Sequence, residues 1–313
     1  MSGDWRATVE ALLRDSRSRR DVPLRELTTL RVGGPADLLV DVDSESDLLA
    51  LLDWAGREGR PVVVLGKGSN LLASDAGLRG IAVRFGRGLA GFEPLREPGR
   101  VRAGAGLPNA SLVSRARELG LGGMEFLVAI PGTIGGAVAM NAGAHGEETA
   151  TFLERVRLYE RGSGLAELAA GTFAFAYRDS PLRGHLGRIV VSAVFCLRPM
   201  EPEAIRTREA EFQEYRRRTQ PREHPNCGSV FVNPPGDHAG RLIDQCGLKG
   251  RQVGGAQVSE KHANFFVNRG SATASDVLEL IDLVRENVYQ ETGVRLELEL
   301  QIMDERGGFP RAP

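Results

Sequence analysis

Apolar residues recur every three or four positions in several otherwise polar stretches, a spacing typical of amphipathic helices. Residues 44–57 begin with Ser44 and place Asp47 three positions later, which is a helix-capping signature. The clearest stretch, residues 271–292, has the same signature in Thr273 and Asp276 and is followed by Gly293, a residue type that commonly closes a helix. The pattern therefore predicts helices over residues 44–57, 109–119, 201–218 and 271–292.

Short apolar runs between these stretches predict strands. Residues 62–65 are entirely apolar, as in a strand that is covered on both faces. Residues 294–302 alternate strictly between apolar and polar side chains, so Glu297 and Glu299 share the polar face of one predicted strand. The other predicted strands lie at residues 38–42, 81–83, 101–105, 155–159 and 189–197.

Glycine is concentrated in one part of the chain, with eight glycines between residues 120 and 146. Residues 126–144 within it carry no charge over 19 positions, a length that suits a membrane span. Pro131, Gly132 and their neighbouring glycines would interrupt a lipid-exposed helix. We therefore interpret residues 126–144 as a buried loop.

Composition narrows the class of protein. The chain has 313 residues, 42% hydrophobic and 26% charged, which allows two or three folded domains. Its net charge of −1 provides no general attraction to nucleic acid or to an anionic membrane. Three cysteines make no disulfide framework, and the first 20 residues lack the apolar run of a secretory signal. We expect a reducing, cytoplasmic environment.

The loop at residues 66–70 follows the apolar strand and reads Gly-Lys-Gly-Ser-Asn. Glycines let consecutive N–H groups converge on an anion, and Ser69 and Asn70 add side-chain donors. The loop has neither the P-loop spacing nor the dinucleotide-binding glycine spacing. The residues alone leave two readings, a phosphate-binding loop and a plain tight turn.

Small residues dominate residues 130–144. A flat ligand such as a dinucleotide can lie directly on a backbone that carries no bulky side chains. The alternative reading is close packing between two layers of the protein.

Three separate positions carry side chains suited to acid–base or electrostatic chemistry. Arg178 follows an aromatic stretch and could stabilise an oxyanion, while a surface ion pair with Asp179 is the alternative. Ser229 follows a glycine and could donate a proton, although no hydrolase-type nucleophile elbow surrounds it. Glu299 could act in a site or belong to a solvated strand face. No metal-ligand spacing is present, so we expect no metal.

Taken in order, six segments resemble the UDP-N-acetylenolpyruvoylglucosamine reductase (MurB) family, flavoenzymes of bacterial peptidoglycan synthesis. The resemblance extends over residues 21–303 and is to the shorter subtype of the family. The segments that carry it are residues 28–36 (TTLRVGGPA), 65–72 (LGKGSNLL), 130–144 (IPGTIGG with MNAGA), 177–180 (YRDS), 228–234 (GSVFVNP) and 296–299 (LELE).

This resemblance implies an α+β fold, with an FAD-binding module of the vanillyl-alcohol-oxidase (PCMH) type followed by a smaller α/β substrate-binding domain. The implied division of the chain is an N-terminal extension (1–20), an FAD-binding domain of two α/β subdomains (21–200), a substrate-binding domain (201–304) and a C-terminal tail (305–313).

The implied reaction is the NADPH-dependent reduction of UDP-N-acetylglucosamine enolpyruvate to UDP-N-acetylmuramate, with non-covalent FAD passing hydride from N5 to C3. Arg178 would bind the substrate carboxylate and stabilise the enolate, Ser229 would donate a proton to C2, and Glu299 would assist. The resemblance further implies a cytoplasmic enzyme, expected to be a monomer, with the substrate and NADPH as its only partners and neither nucleic acid nor membrane bound.

Positions that match the family's motifs are assigned by the same resemblance. The cofactor-binding assignments are Gly66, Lys67, Gly68, Ser69, Asn70, Leu71, Pro131, Gly132, Thr133, Gly135, Gly136, Asn141 and Gly143. The substrate-binding assignments are Tyr177, Asn233, Lys261, His262 and Asn264. The chain departs from the pattern at Ala129, where a glycine is common, and at Val232, where many relatives have a lysine.

Two other functions stay open at this point. An oxidase of the same superfamily would attach its flavin through a histidine such as His145, in the glycine-rich segment. A non-catalytic nucleotide-sugar-binding relative would not bring Arg178, Ser229 and Glu299 together.

Overall fold

The structure is a computed structural model that describes residues 4–310. Its helices are α1 (Trp5–Leu12), α2 (Glu45–Arg57), α3 (Asn109–Glu118), α4 (Ile134–Ala139), α5 (Pro202–Thr219), α6 (Ala239–Gln245) and α7 (Ala274–Thr292). Its strands are β1 (Arg17–Pro23), β2 (Pro35–Val42), β3 (Val62–Val64), β4 (Leu71–Ala73), β5 (Leu78–Phe85), β6 (Phe92–Pro94), β7 (Arg100–Gly104), β8 (Leu121–Gly122), β9 (Gly143–Ala144), β10 (Glu147–Glu148), β11 (Leu153–Glu160), β12 (Gly164–Ala169), β13 (Arg188–Cys196), β14 (Arg198–Pro199), β15 (Asn226–Ser229), β16 (Gln252–Val253), β17 (Ala256–Val258), β18 (Phe265–Asn268) and β19 (Gln301–Met303).

The chain forms two compact units that are interleaved along the sequence. The described part of unit 1 comprises residues 4–21, 37–66 and 80–214, and that of unit 2 comprises residues 22–36, 67–79 and 215–310. The chain thus passes between the units several times. The domains predicted from the sequence are consecutive stretches of chain, which these interleaved units do not test, so that division stays a prediction.

Unit 1 contains two hydrophobic clusters. One packs α2 against the sheet of order β1-β2-β5-β3, with Leu48, Leu51 and Val83 fully buried. The other packs α3 and α4 against the antiparallel sheet of order β12-β11-β13-β7-β6, around Phe126 and Phe195. The glycine-rich segment therefore lies on one sheet of this unit.

Unit 2 has a single cluster of buried residues. Helix α7 packs its apolar stripe against the four-stranded sheet of order β15-β18-β17-β16, and Phe231 and Phe266 meet edge to face in this core. Strand β19 adds to β4 in parallel, with Gln301 opposite Leu71. This unit holds two of the three predicted catalytic positions.

The predicted helices are confirmed with their caps. The Ser44 hydroxyl accepts from the Asp47 N–H at the start of α2, and Thr273 and Asp276 form a reciprocal capping box at the start of α7. Gly293 closes α7 in the left-handed conformation, at φ 72°.

Two predicted elements differ from the structure. Within residues 126–144, read as a loop, Ile134–Ala139 is a short helix, because alanine and isoleucine there supply an apolar face that buries against the sheet. Residues 294–302, read as one strand, form a regular strand only at Gln301–Met303. The extended chain changes partners at Glu299, from residues 230–232 to β4, and the ladder is interrupted there.

Candidate active site

The loop after β3 divides into an exposed and a packed part. Gly66 and Lys67 are exposed, whereas Gly68 is buried and its carbonyl accepts from the Thr29 N–H at 3.2 Å. Leu71 is buried as the first residue of β4. The exposed residues at the end of β3 are therefore those that a ligand can reach.

The second predicted cofactor segment leads into α4. The N–H groups of Ile134 and Gly135 donate to the carbonyls of Leu107 and Ala105, both at 2.9 Å. These bonds fix the segment to the residues that directly follow β7. Thr133 is the N-cap of the helix, and residues 131–133 are partly exposed.

These two segments meet within unit 1. A Cβ atom added to Gly66 would lie 2.8 Å from the Thr133 hydroxyl oxygen, so no side chain fits between the strand end and the helix start. Residues far apart in sequence thus form one surface built from backbone and small side chains.

This surface suits a flat ligand that lies on backbone. A Cβ on exposed Gly136 would meet only the Thr133 hydroxyl, at 3.8 Å, so protein side chains do not fill that side of the helix. Gly135 shows the packing role instead, because its added Cβ would lie 2.9 Å from the Ala105 Cβ. The close-packing reading therefore holds at Gly135, whereas Gly136 is open and the ligand-binding reading stays a prediction there.

Arg178 lies in a tight two-residue turn of unit 1. Ala176 and Asp179 exchange backbone hydrogen bonds of 3.0 Å in both directions, which leaves Tyr177 and Arg178 at the tip. Arg178 has φ 56°, and its guanidinium carbon lies 4.8 Å from the centre of the exposed Tyr177 ring. A non-glycine residue with positive φ is uncommon and marks a held conformation.

Ser229 is the last residue of β15 in unit 2 and follows a bulge. Asn226 pairs with Val267 and Ser229 with Phe265, so the β15 strand carries one extra residue between the pairs. Gly228 supplies the positive φ of 76° that this geometry requires. Bulges of this kind re-aim a side chain, and here the residue affected is Ser229.

Glu299 lies beside the same strand. The Val230 carbonyl accepts from the N–H groups of both Glu299 and Leu300, at 2.9 and 3.2 Å. Glu299 and Leu300 therefore both pair with Val230, and this irregularity in the strand pairing falls at Glu299. Unit 2 thus brings the predicted residues Ser229 and Glu299 onto adjacent extended segments, each beside an irregularity in the pairing.

The environment of Cys227 argues against a nucleophilic role for its thiol. Burial, with a smaller contribution from the charge of Glu299, raises the pKa of its thiol to about 12. The thiol is therefore neutral near pH 7, while thiolate is the reactive form. Glu297, the other glutamate of the motif, is exposed, and its carbonyl accepts from the Val232 N–H at 2.9 Å.

The residues predicted to bind substrate also take part in the local structure of unit 2. Asn264 is buried and exchanges two hydrogen bonds with the Phe231 backbone, at 2.9 and 2.8 Å. The Asn233 side-chain oxygen accepts from the Ala239 N–H at the start of α6, at 3.0 Å. The exposed Lys261 ammonium donates to the Arg217 carbonyl at 2.8 Å.

His262 completes this group. Its ring meets Phe265 edge to face, and its Nδ1 accepts from the Asn264 N–H at 3.3 Å. Burial lowers the pKa of His262, so its neutral form is favoured. A neutral imidazole can bind by hydrogen bonding but adds no positive charge for a diphosphate.

His145 lies in unit 1 with its ring stacked on Phe212, the ring centres 4.2 Å apart. Burial lowers its pKa. Across residues 4–310, no group of three or more His, Cys, Asp or Glu side chains is arranged to hold a metal ion. Within the same range, no helix has the length and apolar character of a membrane span.

Asn226 is absent from the residues predicted above, yet it shapes the turn before Ser229. Its side chain accepts from the Gly228 N–H at 3.1 Å and donates to the Pro221 carbonyl at 3.0 Å. Asparagine two residues before a glycine is the signature of such a side-chain turn, and this signal was available in the sequence.

Comparison with known proteins places these features in a family context. A family model described as "FAD binding domain" matches residues 36–165. A second, described as "UDP-N-acetylenolpyruvoylglucosamine reductase, C-terminal domain", matches residues 220–303. The first range includes Gly66 and Thr133, and the second includes Ser229 and Glu299.

Individual relatives are similar over nearly the whole chain. A UDP-N-acetylenolpyruvoylglucosamine reductase 2 of Symbiobacterium thermophilum is 46% identical, covering 96% of this chain and 97% of the relative. The UDP-N-acetylenolpyruvoylglucosamine reductase of Rubrobacter xylanophilus is 44% identical, covering 91% and 95%. The crystal structure of the Thermus caldophilus reductase (MurB) is 39% identical with a TM-score of 0.78, covering 92% of this chain and 99% of that one.

Proposed function

Because the chain belongs to the UDP-N-acetylenolpyruvoylglucosamine reductase family, we propose that it reduces UDP-N-acetylglucosamine enolpyruvate to UDP-N-acetylmuramate for peptidoglycan synthesis. The predicted α+β class with an FAD-binding module is confirmed by these matches. The enzyme is an FAD-dependent oxidoreductase that uses NADPH as its source of hydride.

FAD fits the exposed backbone surface where Gly66 meets Thr133, together with the open side of Gly136. We assign its binding to this surface and to the other matching positions of residues 66–71 and 131–143, with the exception of Asn141, whose buried side-chain amide is hydrogen-bonded to the backbone of Ala150 and Ala176. When bound, FAD accepts hydride from NADPH and supplies hydride to the substrate from N5.

Arg178 is proposed to bind the substrate carboxylate. Hydride arriving at C3 of an enolpyruvyl ether leaves negative charge on C2 and the carboxylate, as an enolate. A guanidinium held at that carboxylate stabilises the charge as it develops. The turn that sets Arg178 at φ 56° supports this role, because a strained backbone is commonly retained at a functional position.

Ser229 is proposed to donate the proton that C2 requires. A serine hydroxyl is a weak acid in water, but a positioned hydroxyl can protonate a strongly basic carbanion centre. Glu299 is proposed to assist this transfer. One observation carries the assignment of Glu299. The Val230 carbonyl accepts from the N–H groups of both Glu299 and Leu300, which places the glutamate beside the strand that ends at Ser229.

The remaining expectations about the molecule's surroundings are also proposals. We propose a cytoplasmic monomer without a nucleic-acid or membrane partner. The net charge of −1 and three free cysteines support this setting. Light scattering coupled to size exclusion tests the monomer, and a dimer peak at all concentrations would contradict it.

The function is tested with the purified holoenzyme under anaerobic conditions. We expect a flavin spectrum that NADPH bleaches and that the enolpyruvyl substrate restores, with UDP-N-acetylmuramate identified by mass. Denaturation should release all of the flavin into the supernatant. Flavin retained on the denatured chain, or restoration by oxygen alone at the same rate, would favour the oxidase. Absence of any restoration would favour the non-catalytic relative.

A further inference from the structure

Asn141 ends helix α4 in a conformation for which glycine is the usual residue. The Ala142 N–H donates to the Ala137 carbonyl at 2.8 Å, and the Asn141 N–H donates to the Val138 carbonyl at 3.2 Å. Asn141 has φ 43°, so it occupies the left-handed position of this helix-ending motif. An asparagine there is tolerated less well than glycine, but it brings a side-chain amide.

That amide is fully buried and uses both of its polar atoms. Its nitrogen donates to the Ala176 carbonyl at 2.8 Å, and its oxygen accepts from the Ala150 N–H at 3.0 Å. The Ala176 carbonyl also accepts from Asp179, and this second bond closes the turn that carries Arg178. The Asn141 side chain is therefore attached to the base of the Arg178 turn.

The backbone beyond Asn141 contacts the Arg178 guanidinium. A Cβ added to Gly143 would lie 2.9 Å from Arg178 Nη1 and 2.4 Å from the Glu147 carbonyl oxygen. The guanidinium thus rests against bare backbone two residues after Asn141. One residue accordingly fixes both the turn beneath Arg178 and the surface beside its side chain.

We propose that Asn141 is a positioning residue for Arg178, holding the guanidinium through the Ala176 carbonyl. This rests on the proposed function, in which Arg178 binds the substrate carboxylate. The hydrogen bond from the Asn141 side-chain amide restrains a turn in which Arg178 has a positive φ, a conformation that is unfavourable for arginine. Without that restraint, Arg178 samples other orientations and stabilises the enolate less well.

A second contact keeps the segment folded when the amide is removed. The Ser180 hydroxyl donates to the Ala139 carbonyl at 2.6 Å and accepts from the Leu182 N–H at 3.1 Å. This bond ties the residues after the turn to α4 independently of Asn141. Removal of the amide should therefore loosen Arg178 without detaching the whole segment.

The test is a double-mutant cycle of Asn141→Gly with Arg178→Ala in the FAD-loaded enzyme. Glycine suits the left-handed position, so Asn141→Gly deletes the amide and keeps the helix end. Asn141→Asp, which retains an acceptor for Ala150 but loses the donor to Ala176, serves if the glycine variant fails to fold. Anaerobic stopped-flow measures flavin reduction by NADPH and reoxidation by the enolpyruvyl substrate separately.

We expect Asn141→Gly to retain FAD and normal reduction, and to slow reoxidation by about 10- to 100-fold, the scale of a small misplacement of a catalytic group. In the Arg178→Ala background the same substitution should have no further effect on reoxidation. Asn109→Ala is the matched control, because Asn109 is also buried in unit 1 and donates to a backbone carbonyl, that of Ile130, at 3.0 Å. Any effect of Asn109→Ala should be the same in both backgrounds.

The outcomes separate this inference from the proposed function. Normal reoxidation by Arg178→Ala alone would remove the role of Arg178, and with it the positioning role. Slow reoxidation by Arg178→Ala, with an undiminished effect of Asn141→Gly in that background, would overturn only the positioning role. Loss of FAD from Asn141→Gly would also overturn it and would place Asn141 in cofactor binding.

Discussion

The side-chain amide of Asn70 donates to the backbone carbonyl of Glu299 at 3.0 Å. The backbone carbonyl of Asn70 in turn accepts from the Gln301 N–H at 3.2 Å. Asn70 therefore hydrogen-bonds to the chain at Glu299, where the pairing is irregular, and again two residues later. Asn70 was predicted to bind the cofactor as part of the glycine-rich loop. Its contacts within unit 2 indicate a second role, which is to hold the backbone of Glu299 in place.

We expect Asn70→Ala to lower kcat, because the Glu299 carbonyl loses its donor and the irregular segment gains freedom. The free energy of unfolding should fall by about 1 kcal/mol, the usual net value of one hydrogen bond. Asn287→Ala is the control, since that side chain also donates to a backbone carbonyl in unit 2, at 2.8 Å, but lies on the exposed face of α7. Equal kcat values for the two variants, measured at saturating substrate, would argue against a link between Asn70 and Glu299.

Ser229→Ala should separate the two half-reactions. Reduction by NADPH needs no proton from Ser229, so its rate should stay within about 2-fold of the parent, whereas reoxidation should fall about 100-fold or more, the usual contribution of a positioned acid. Ser275→Ala, a change at the α7 N-terminus, controls for serine loss. Stopped-flow absorbance measures both steps, and equal slowing of both by Ser229→Ala would reject the proton-donor role.

The regular elements were predictable because their signals are local. Ser44 with Asp47, and Thr273 with Asp276, are capping pairs that a sequence displays directly, and the structure has both. The strand predicted through Glu299 was interrupted for a reason that lies elsewhere in the chain. The Val230 carbonyl accepts from two N–H groups there, and the Asn70 side chain donates to the Glu299 carbonyl. Neither contact has a signature in residues 294–302.

The identity of the candidate site residues comes from the family resemblance and stays a prediction, and their local geometry was not predictable from the sequence. Motif order indicated Arg178, Ser229 and Glu299, but the attachment of Asn141 to the Arg178 turn depends on a contact over 35 positions in sequence. The same limit applies to Gly66 and Thr133, whose proximity follows from packing on the sheet and not from spacing. Composition indicated small residues at these positions without showing which of them pack and which are open.

Asp47 should make the stability of the fold depend on pH. Burial alone would raise its pKa, but hydrogen bonds from the Ser16 side chain and from the N–H groups of Arg14, Asp15 and Ser16 outweigh burial and leave the pKa below its ordinary value. A carboxyl group with a lowered folded-state pKa stabilises the fold above its unfolded pKa of about 3.9 and loses that contribution as pH falls through the folded value. Asp47→Asn should therefore destabilise the protein at pH 7 by roughly 1–3 kcal/mol.

Chemical denaturation across a pH series measures this effect. The difference in free energy of unfolding between the parent and Asp47→Asn should shrink as the pH is lowered from 5 toward the acid limit of reversible folding. Asp304→Asn offers a comparison, because Asp304 also accepts backbone N–H groups, from Arg306 and Gly308, at 2.8 and 2.7 Å. A constant difference for Asp47→Asn at every pH would contradict an ionised Asp47 as the source of the stabilisation.

Glu299 and Glu297 form a matched pair for the last prediction. They are two residues apart, but Glu297 is exposed, whereas Glu299 is partly buried and its charge reaches the buried Cys227 thiol. Glu299→Gln keeps the shape of the side chain and removes its ability to exchange a proton, so reoxidation by the substrate should slow by about 10- to 100-fold, within the range of acid–base assistance. Glu297→Gln should leave both half-reactions within about 2-fold. Single-turnover reoxidation of each variant, with FAD content checked by absorbance, decides the assignment. A larger defect in Glu297→Gln would transfer the role to that residue and show that the chain in solution presents the other glutamate to the substrate.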